Sequence, residues 1–285
     1  MKKTCFIFSE FNIGGMETSV IRIARSMIAS KKYDIVFVTT ERRSSNIPKD
    51  IKYIHIDGFN KFFPYFHFCK VLNTIKKLNI STYLIVYERV FQSVAGLIKG
   101  TKICLLRNNH SEVYKRAFTN YTKIDGFIGN SPANKFFVDD YNKNVKKFFK
   151  FIPNGIKNSK NNLLKKRKKN LGILNLLFVG RIVDDSKGVF GLYEICQELI
   201  KSHTNFKLRI IGEGSDLIKL KSLFKDDCFF NKIIFKPFLE KVDLIHEYNK
   251  ADILLMPSNY EGLPNVLLEA MLYGCVPVAT LLKDS

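Results

Sequence analysis

The feature that most constrains this chain is a rhythm: short apolar runs rich in β-branched and aromatic residues alternate with amphipathic stretches of helical length. It begins with Thr4 to Ser9, passes through a glycine-containing turn and enters a helical pattern from about Met16 to Ser30. Further strands are expected at Asp34 to Thr39, Lys52 to Ile56, Tyr83 to Tyr87, Lys102 to Leu106, Ile124 to Ile128 and Lys147 to Ile152, with helices between most of them. Strands joined through helices pair in parallel, because the crossover returns each strand to the same end of the sheet. The spacing therefore predicts a parallel α/β domain over residues 1–152.

Between Pro153 and Gly172 the rhythm stops. This stretch is rich in Asn, Lys, Gly and Ser and holds Lys165-Lys166-Arg167-Lys168-Lys169, which offers no apolar face, so 153–172 reads as a linker. Alternation restarts with strands expected at Leu174 to Val179, Phe206 to Ile211, Lys232 to Phe235, Asp252 to Met256 and Val276 to Ala279. A second parallel α/β domain, 173–285, is expected there. Nothing after Ala279 is long enough to form a covering helix, so this domain is expected to be incomplete.

With 285 residues, 46% of them hydrophobic, there is material for two packed cores. No uncharged apolar run reaches the ~18 residues of a membrane span, and Glu10 interrupts the short apolar run after Met1-Lys2-Lys3, so neither a span nor a signal peptide is expected. The six cysteines are scattered and form no Cys-x-x-Cys pair. They read as reduced core residues of a cytoplasmic protein. The net charge of +20 suits a polyanion, an anionic membrane or a phosphorylated ligand, but a coding bias toward A and T also produces lysine together with Asn, Ile and Phe. No zinc-finger spacing or aromatic RNA-binding signature accompanies it, so nucleic acid is not an expected partner.

Ligands of open α/β sheets bind beyond the carboxyl ends of the strands, which makes the residues just after each strand informative. Gly14-Gly15 follows the first strand and suits either close approach of backbone to a ligand or an ordinary tight turn. After the first strand of the second domain come Gly180-Arg181 and then Lys187-Gly188. The Arg181 fork and the Lys187 point charge can neutralise a diphosphate, or can be solvated surface cations. The densest pattern is Pro257-Ser258-Asn259-Tyr260-Glu261-Gly262-Leu263-Pro264-Asn265-Val266-Leu267-Leu268-Glu269-Ala270, directly after a strand. Pro264 suits the first turn of a helix, which places Glu261 in the loop before it and Glu269 about one turn inside. Carboxylates accept hydrogen bonds from the paired hydroxyls of sugars and riboses, and the helix start between them favours phosphate.

The segment from Ala251 to Thr280 resembles the signature of the retaining glycosyltransferases of family 4. Gly14-Gly15-Met16-Glu17 resembles that family's N-terminal glycine loop, and Ile152-Pro153-Asn154-Gly155-Ile156 its interdomain hinge. Gly180-Arg181 with Lys187-Gly188 resembles its diphosphate-binding pair, and Ile210-Ile211-Gly212-Glu213-Gly214 its second glycine turn. The resemblance implies a GT-B fold of two Rossmann-like domains, with a nucleoside-diphosphate sugar held mainly by the second domain and a glycan or lipid-linked acceptor mainly by the first. It implies that Glu269 holds the ribose, that Glu261 and the following amides of Gly262, Leu263 and Asn265 hold the transferred sugar, and that Arg181 and Lys187 grip the diphosphate. Gly14, Gly15, Gly180, Gly212 and Gly214 would line the substrate. His110 is the nearest match to the family's histidine beside the donor sugar, and a surface histidine is the alternative reading.

In the turn Lys236-Pro237-Phe238 the family's glycine near the base is missing, which leaves the base open. No cofactor is implied. No two aspartates are spaced Asp-x-Asp, so transfer without a metal is expected. The rival activities are a nucleotide-sugar epimerase of the same fold class and an inactive fragment that binds only nucleotide or membrane. Finally, Phe59 to Lys77 interleaves aromatic residues with lysines, which fits either the headgroup region of an anionic membrane or a core helix.

Overall fold

The computed structural model describes residues 1–11, 14–59, 64–86, 88, 90–107, 114–115, 117–118, 120–141, 147–156 and 172–282. The chain divides into two units, Met1–Asn154 and Gly155–Lys283. The central part of the predicted linker, 157–171, lies outside the described residues.

The first unit is a seven-stranded sheet, β1 (Lys2–Phe8), β2 (Tyr33–Thr39), β3 (Lys52–His55), β4 (Thr82–Val86), β5 (Thr101–Leu106), β6 (Gly126–Gly129) and β7 (Phe148–Phe151). Every pair is parallel and the order is β3-β2-β1-β4-β5-β6-β7. Its helices are α1 (Gly15–Ala29), α2 (Pro64–Leu78), α3 (Val90–Val94) and α4 (Ala133–Tyr141). Successive strand residues point to opposite faces, and both faces are covered, which is why β1 reads as the unbroken apolar run Cys5-Phe6-Ile7-Phe8. Phe6, Phe8, Phe37, Val20 and Ala24 form the core under α1. Cys5, Ile7, Val36, Val38, Val71 and Ile75 form the core under α2.

Helix α2 decides between the two readings of the aromatic segment on one face only. His67, Val71 and Ile75 recur every fourth residue and are buried, so that face is core. Tyr65 and Phe66 at its start are 72% and 77% exposed and pack edge to face on each other. Phe62 and Phe63 lie outside the described residues.

The second unit carries β8 (Leu174–Val179), α5 (Asp184–Lys187), α6 (Gly191–Lys201), β9 (Phe206–Ile211), α7 (Leu217–Leu223), β10 (Ile233–Lys236), α8 (Lys241–Lys250), β11 (Ile253–Met256), α9 (Asn265–Leu272) and β12 (Val276–Ala279). The five strands are parallel in the order β10-β9-β8-β11-β12. Leu176, Phe178, Leu208 and Ile210 pack under α6 and α7, while Leu177, Leu254 and Met256 pack under α8 and α9. Glu247 of α8 pairs with Arg209 at 2.7 Å and Lys236 at 2.8 Å. Burial opposes its ionisation, but the two cations outweigh that and hold its carboxyl below the usual range. Lys236 is thereby committed to Glu247, while Phe238 beyond it is exposed.

Candidate active site

In the second unit the strand order reverses direction between β8 and β11, the position at which open α/β sheets generally place a ligand, beyond the carboxyl ends of the strands. Both sequence-predicted clusters leave from those two strands. Gly180, Arg181 and Lys187 follow β8, and Glu261, Gly262 and Leu263 follow β11.

Two short segments are stitched together there. Helix α5 is a single turn that ends at Gly188 in the left-handed conformation, φ 55° and ψ 36°, with the Gly188 N–H bonded to Asp184 O. A Cβ on Gly188 would stand 2.0 Å from the Pro257 carbonyl oxygen, so the two loops touch backbone to backbone. Asn259 N donates to Ser186 O at 3.1 Å, and its side-chain amide donates to the carbonyls of Asp184 and Asp185. This contact brings the Lys187 ammonium onto the Glu261 carboxylate as an ion pair, with side chains 20% and 16% exposed. Ser258 Oγ donates to the same Glu261 oxygen at 3.0 Å. Arg181 is exposed, and among the described residues its guanidinium has no ion-pair partner. Lys187 and Glu261 thus meet across the two loops, with Arg181 exposed at the start of the first.

Glu261 lies in the loop before α9, and Glu269 lies inside the helix. Pro264 stands one residue earlier than its sequence reading, as the extended N-cap (φ −70°, ψ 135°), with Asn265 buried at the first helical position. Its fixed φ fits either position, and the ψ of 135° keeps it out of the helix. Glu269 is half-buried and accepts a 3.4 Å hydrogen bond from the Tyr248 hydroxyl, whose ring stacks on Tyr273.

The glycine turns have a structural explanation of their own. Gly212 has φ 144°, and a Cβ on it would lie 1.9 Å from Gly180 O; one on Gly214 would lie 2.1 Å from Ile182 O. The loops after β8 and β9 thus cross in contact, joined by Ile182 N to Glu213 O at 2.8 Å and Asp216 N to Ile182 O at 3.1 Å. Gly180 itself has room for a Cβ, with its nearest neighbour the Phe178 ring at 3.5 Å.

In the first unit the order reverses between β1 and β4. Gly14 is the extended N-cap of α1 and accepts from Thr18 N at 3.0 Å and Thr18 Oγ1 at 2.8 Å; Gly15 opens the helix. Asn154 of the predicted hinge accepts from Ser19 of α1 and from Arg107 after β5, both at 2.9 Å. His110 lies outside the described residues. Sequence reading passed over Glu88, although it follows β4 at the reversal and the rule that found Glu261 would have found it. Glu88 is fully buried, caps the Val90 and Phe91 amides and takes a hydrogen bond from Thr40. Burial pushes its carboxyl up to about 7, against the pull of those hydrogen bonds. Gly188 and Ser258 were likewise not singled out as site residues, since what they contribute is contact between loops distant in sequence.

Residues 159–283 match the family model of the glycosyl transferases group 1. This is a GT-B glycosyltransferase fold. A GT-B structure of a lipopolysaccharide outer core galactosyltransferase, WaaB, superposes with a TM-score of 0.75 at 18% identity, covering 98% of this chain and 80% of that one. An uncharacterized glycosyltransferase of Haemophilus influenzae is 27% identical over 96% of this chain and 79% of its own length. A capsular polysaccharide biosynthesis glycosyltransferase of Staphylococcus aureus, CapH, is 24% identical over 100% of this chain and 83% of its own.

Proposed function

We propose that this protein transfers a hexosyl group from a nucleoside-diphosphate sugar to an acceptor hydroxyl of a cell-surface glycan or glycolipid, with retention at the anomeric carbon and without a metal. The observation that carries the reading is the Lys187–Glu261 ion pair between the loops after β8 and β11, directly before the start of α9, with Arg181 exposed two residues after β8. Charge builds on the diphosphate as the glycosidic bond breaks, and preorganised cations aimed at that charge lower the barrier. The exposed guanidinium of Arg181 supplies a bidentate fork. Lys187 would exchange Glu261 for a phosphate oxygen, which frees the Glu261 carboxylate to accept a sugar hydroxyl. Glu269, one turn into α9, would accept the ribose hydroxyls. No covalent nucleophile is invoked, and the enzyme's part is leaving-group stabilisation and positioning of the acceptor.

These roles separate the two glutamates. With free nucleoside diphosphate in a calorimeter, Glu269→Ala is expected to lose roughly 1.5 to 3 kcal/mol of binding, the worth of a charged hydrogen bond. Glu261→Ala should lose less, because the sugar it serves is absent. Equal losses would sink the assignment.

A peripheral position at an anionic membrane, where a lipid-linked acceptor would be met, is supported by the exposed Tyr65–Phe66 pair and by exposed Lys70 one turn further along α2. No helix among the described residues is long and apolar enough to cross a membrane. Replacing both rings by Ser should lower co-sedimentation with phosphatidylglycerol vesicles while leaving the fold intact. Unchanged sedimentation removes the membrane reading.

A further inference from the structure

The edge of the first unit's sheet away from the strands' carboxyl ends holds a recess of about 240 Å³ lined by Lys3, Asp34, Val36, Lys52, Lys77, Leu78 and Ile80. Its origin is legible in the strand pattern. On the face under α2, the inward rows run Cys5–Ile7 on β1, Val36–Val38 on β2 and Ile54–Ile56 at β3. Two residues toward the amino end, each row changes from apolar to charged, at Lys3, Asp34 and Lys52. The parallel register sets Lys3 beside Asp34 and Lys52 beside Val36. Helix α2 ends over the same place, its chain turning away at Asn79 with φ 50°. The apolar rows and the helix thus stop together, and a charged hollow is left beneath the last turn.

Among the described residues, none of the three ammonium groups is held in an ion pair, and the Asp34 carboxylate has no cation within bonding distance. A lysine in the last helical turn complements the helix dipole, which accounts for Lys77 alone. The lysine-rich composition accounts for the number of lysines in the chain but not for three of them lining one concavity.

We propose that this recess is a binding site for a phosphorylated polyol, with the phosphate held by Lys3, Lys52 and Lys77 and a hydroxyl donated to Asp34. Three point charges in a concave wall focus the field on an anion. A carboxylate among them penalises a bare phosphate and rewards a ligand that carries a hydroxyl next to its phosphate. The site belongs to the first unit alone, at the amino ends of its strands, and does not depend on the transferase reading.

The same chemistry comes from a free polyol phosphate or from a glycerol phosphate headgroup, and the two sources are told apart by their probes. Titration of the full chain with glycerol 1-phosphate at about 0.15 M salt, where the Debye length is about 8 Å, is expected to show saturable binding. The triple variant Lys3→Gln/Lys52→Gln/Lys77→Gln should weaken it about tenfold or more, as loss of charged hydrogen bonds requires. A control triple of exposed lysines outside the recess, Lys123→Gln/Lys150→Gln/Lys225→Gln, removes the same charge and should change it by less than about twofold, because none of these ammonium groups lines the concavity. Asp34→Asn should erase the preference for glycerol 1-phosphate over inorganic phosphate. Sedimentation with phosphatidylglycerol vesicles that fails only in the recess triple identifies a lipid headgroup as the source; equal sedimentation of both triples identifies the free phosphate. All six lysines are exposed or open to the recess, and melting curves check that each variant is folded. Absence of saturable binding, or equal weakening by the two triples, overturns the proposal.

Discussion

Gly188→Ala is expected to destabilise the second unit by on the order of 3 kcal/mol and to abolish donor binding. Two costs add. A non-glycine residue held in the left-handed region costs about 1 to 2 kcal/mol. The added methyl would also stand 2.0 Å from the Pro257 carbonyl oxygen, a contact that backbone atoms on both sides can relieve only by parting the loops. Parting them withdraws Lys187 from Glu261 and breaks the bonds of Asn259 to Ser186, Asp184 and Asp185. Gly180→Ala is the internal control. That glycine follows β8 in the same motif, but its Cβ would meet nothing closer than 3.5 Å and its backbone is not left-handed, so less than about 1 kcal/mol is expected. Denaturant titration of the two variants checks the contrast, and similar midpoints for both would mean that the loop contact does not set the stability of the site.

Arg181→Ala should do the opposite: leave the fold as stable as before and slow the chemistry severely. The side chain is exposed and pairs with none of the described residues, so nothing in the folded state is lost with it. By analogy with loss of one preorganised donor from an oxyanion site, the cost in the chemical step is about 2.7 to 4 kcal/mol, or roughly a hundred- to a thousandfold in donor turnover. Arg181→Lys should recover only part of this, since an ammonium cannot reproduce the bidentate fork. The proposed absence of a metal is tested in the same assay. Turnover is expected to be unchanged in excess chelator, because Arg181, Lys187 and the amides at the start of α9 supply the neutralising charge. Activity abolished by chelator and restored by magnesium or manganese would show that the leaving group is stabilised by other means.

The sequence by itself determined the elements and their class. Strands covered on both faces read as near-continuous apolar runs, so β1, β2, β8 and β9 stand out from the chain without tertiary information. It also located the parts of the candidate site along the chain, because residues after a strand are identifiable once the strand is, and the glutamate pair spans a loop and a helix start within one local segment. The limits of that reading are set by distance in sequence. The ends of β1, β6 and β10 moved by one or two residues, since strand pairing, rather than composition, fixes where a ladder stops. Glu261 and Glu269 read as acceptors of sugar and ribose hydroxyls, and nothing in the sequence pointed to their protein partners: the fold pairs the first with Lys187, 74 residues away, and sets the second against Tyr248. Which glycines are indispensable was equally invisible: Gly180 and Gly188 look alike in the motif, and only the approach of the β11 loop makes one of them irreplaceable. The recess under the end of α2 belongs to the same class. Lys3, Asp34, Lys52 and Lys77 are unremarkable charges in a basic chain, and the parallel register of three strands together with the length of one helix brings them to a common wall. Local pattern suffices for an element because its hydrogen bonds and its apolar face are local properties, whereas a site requires strand order and loop contact, which are energies between segments that the pattern of either one does not contain.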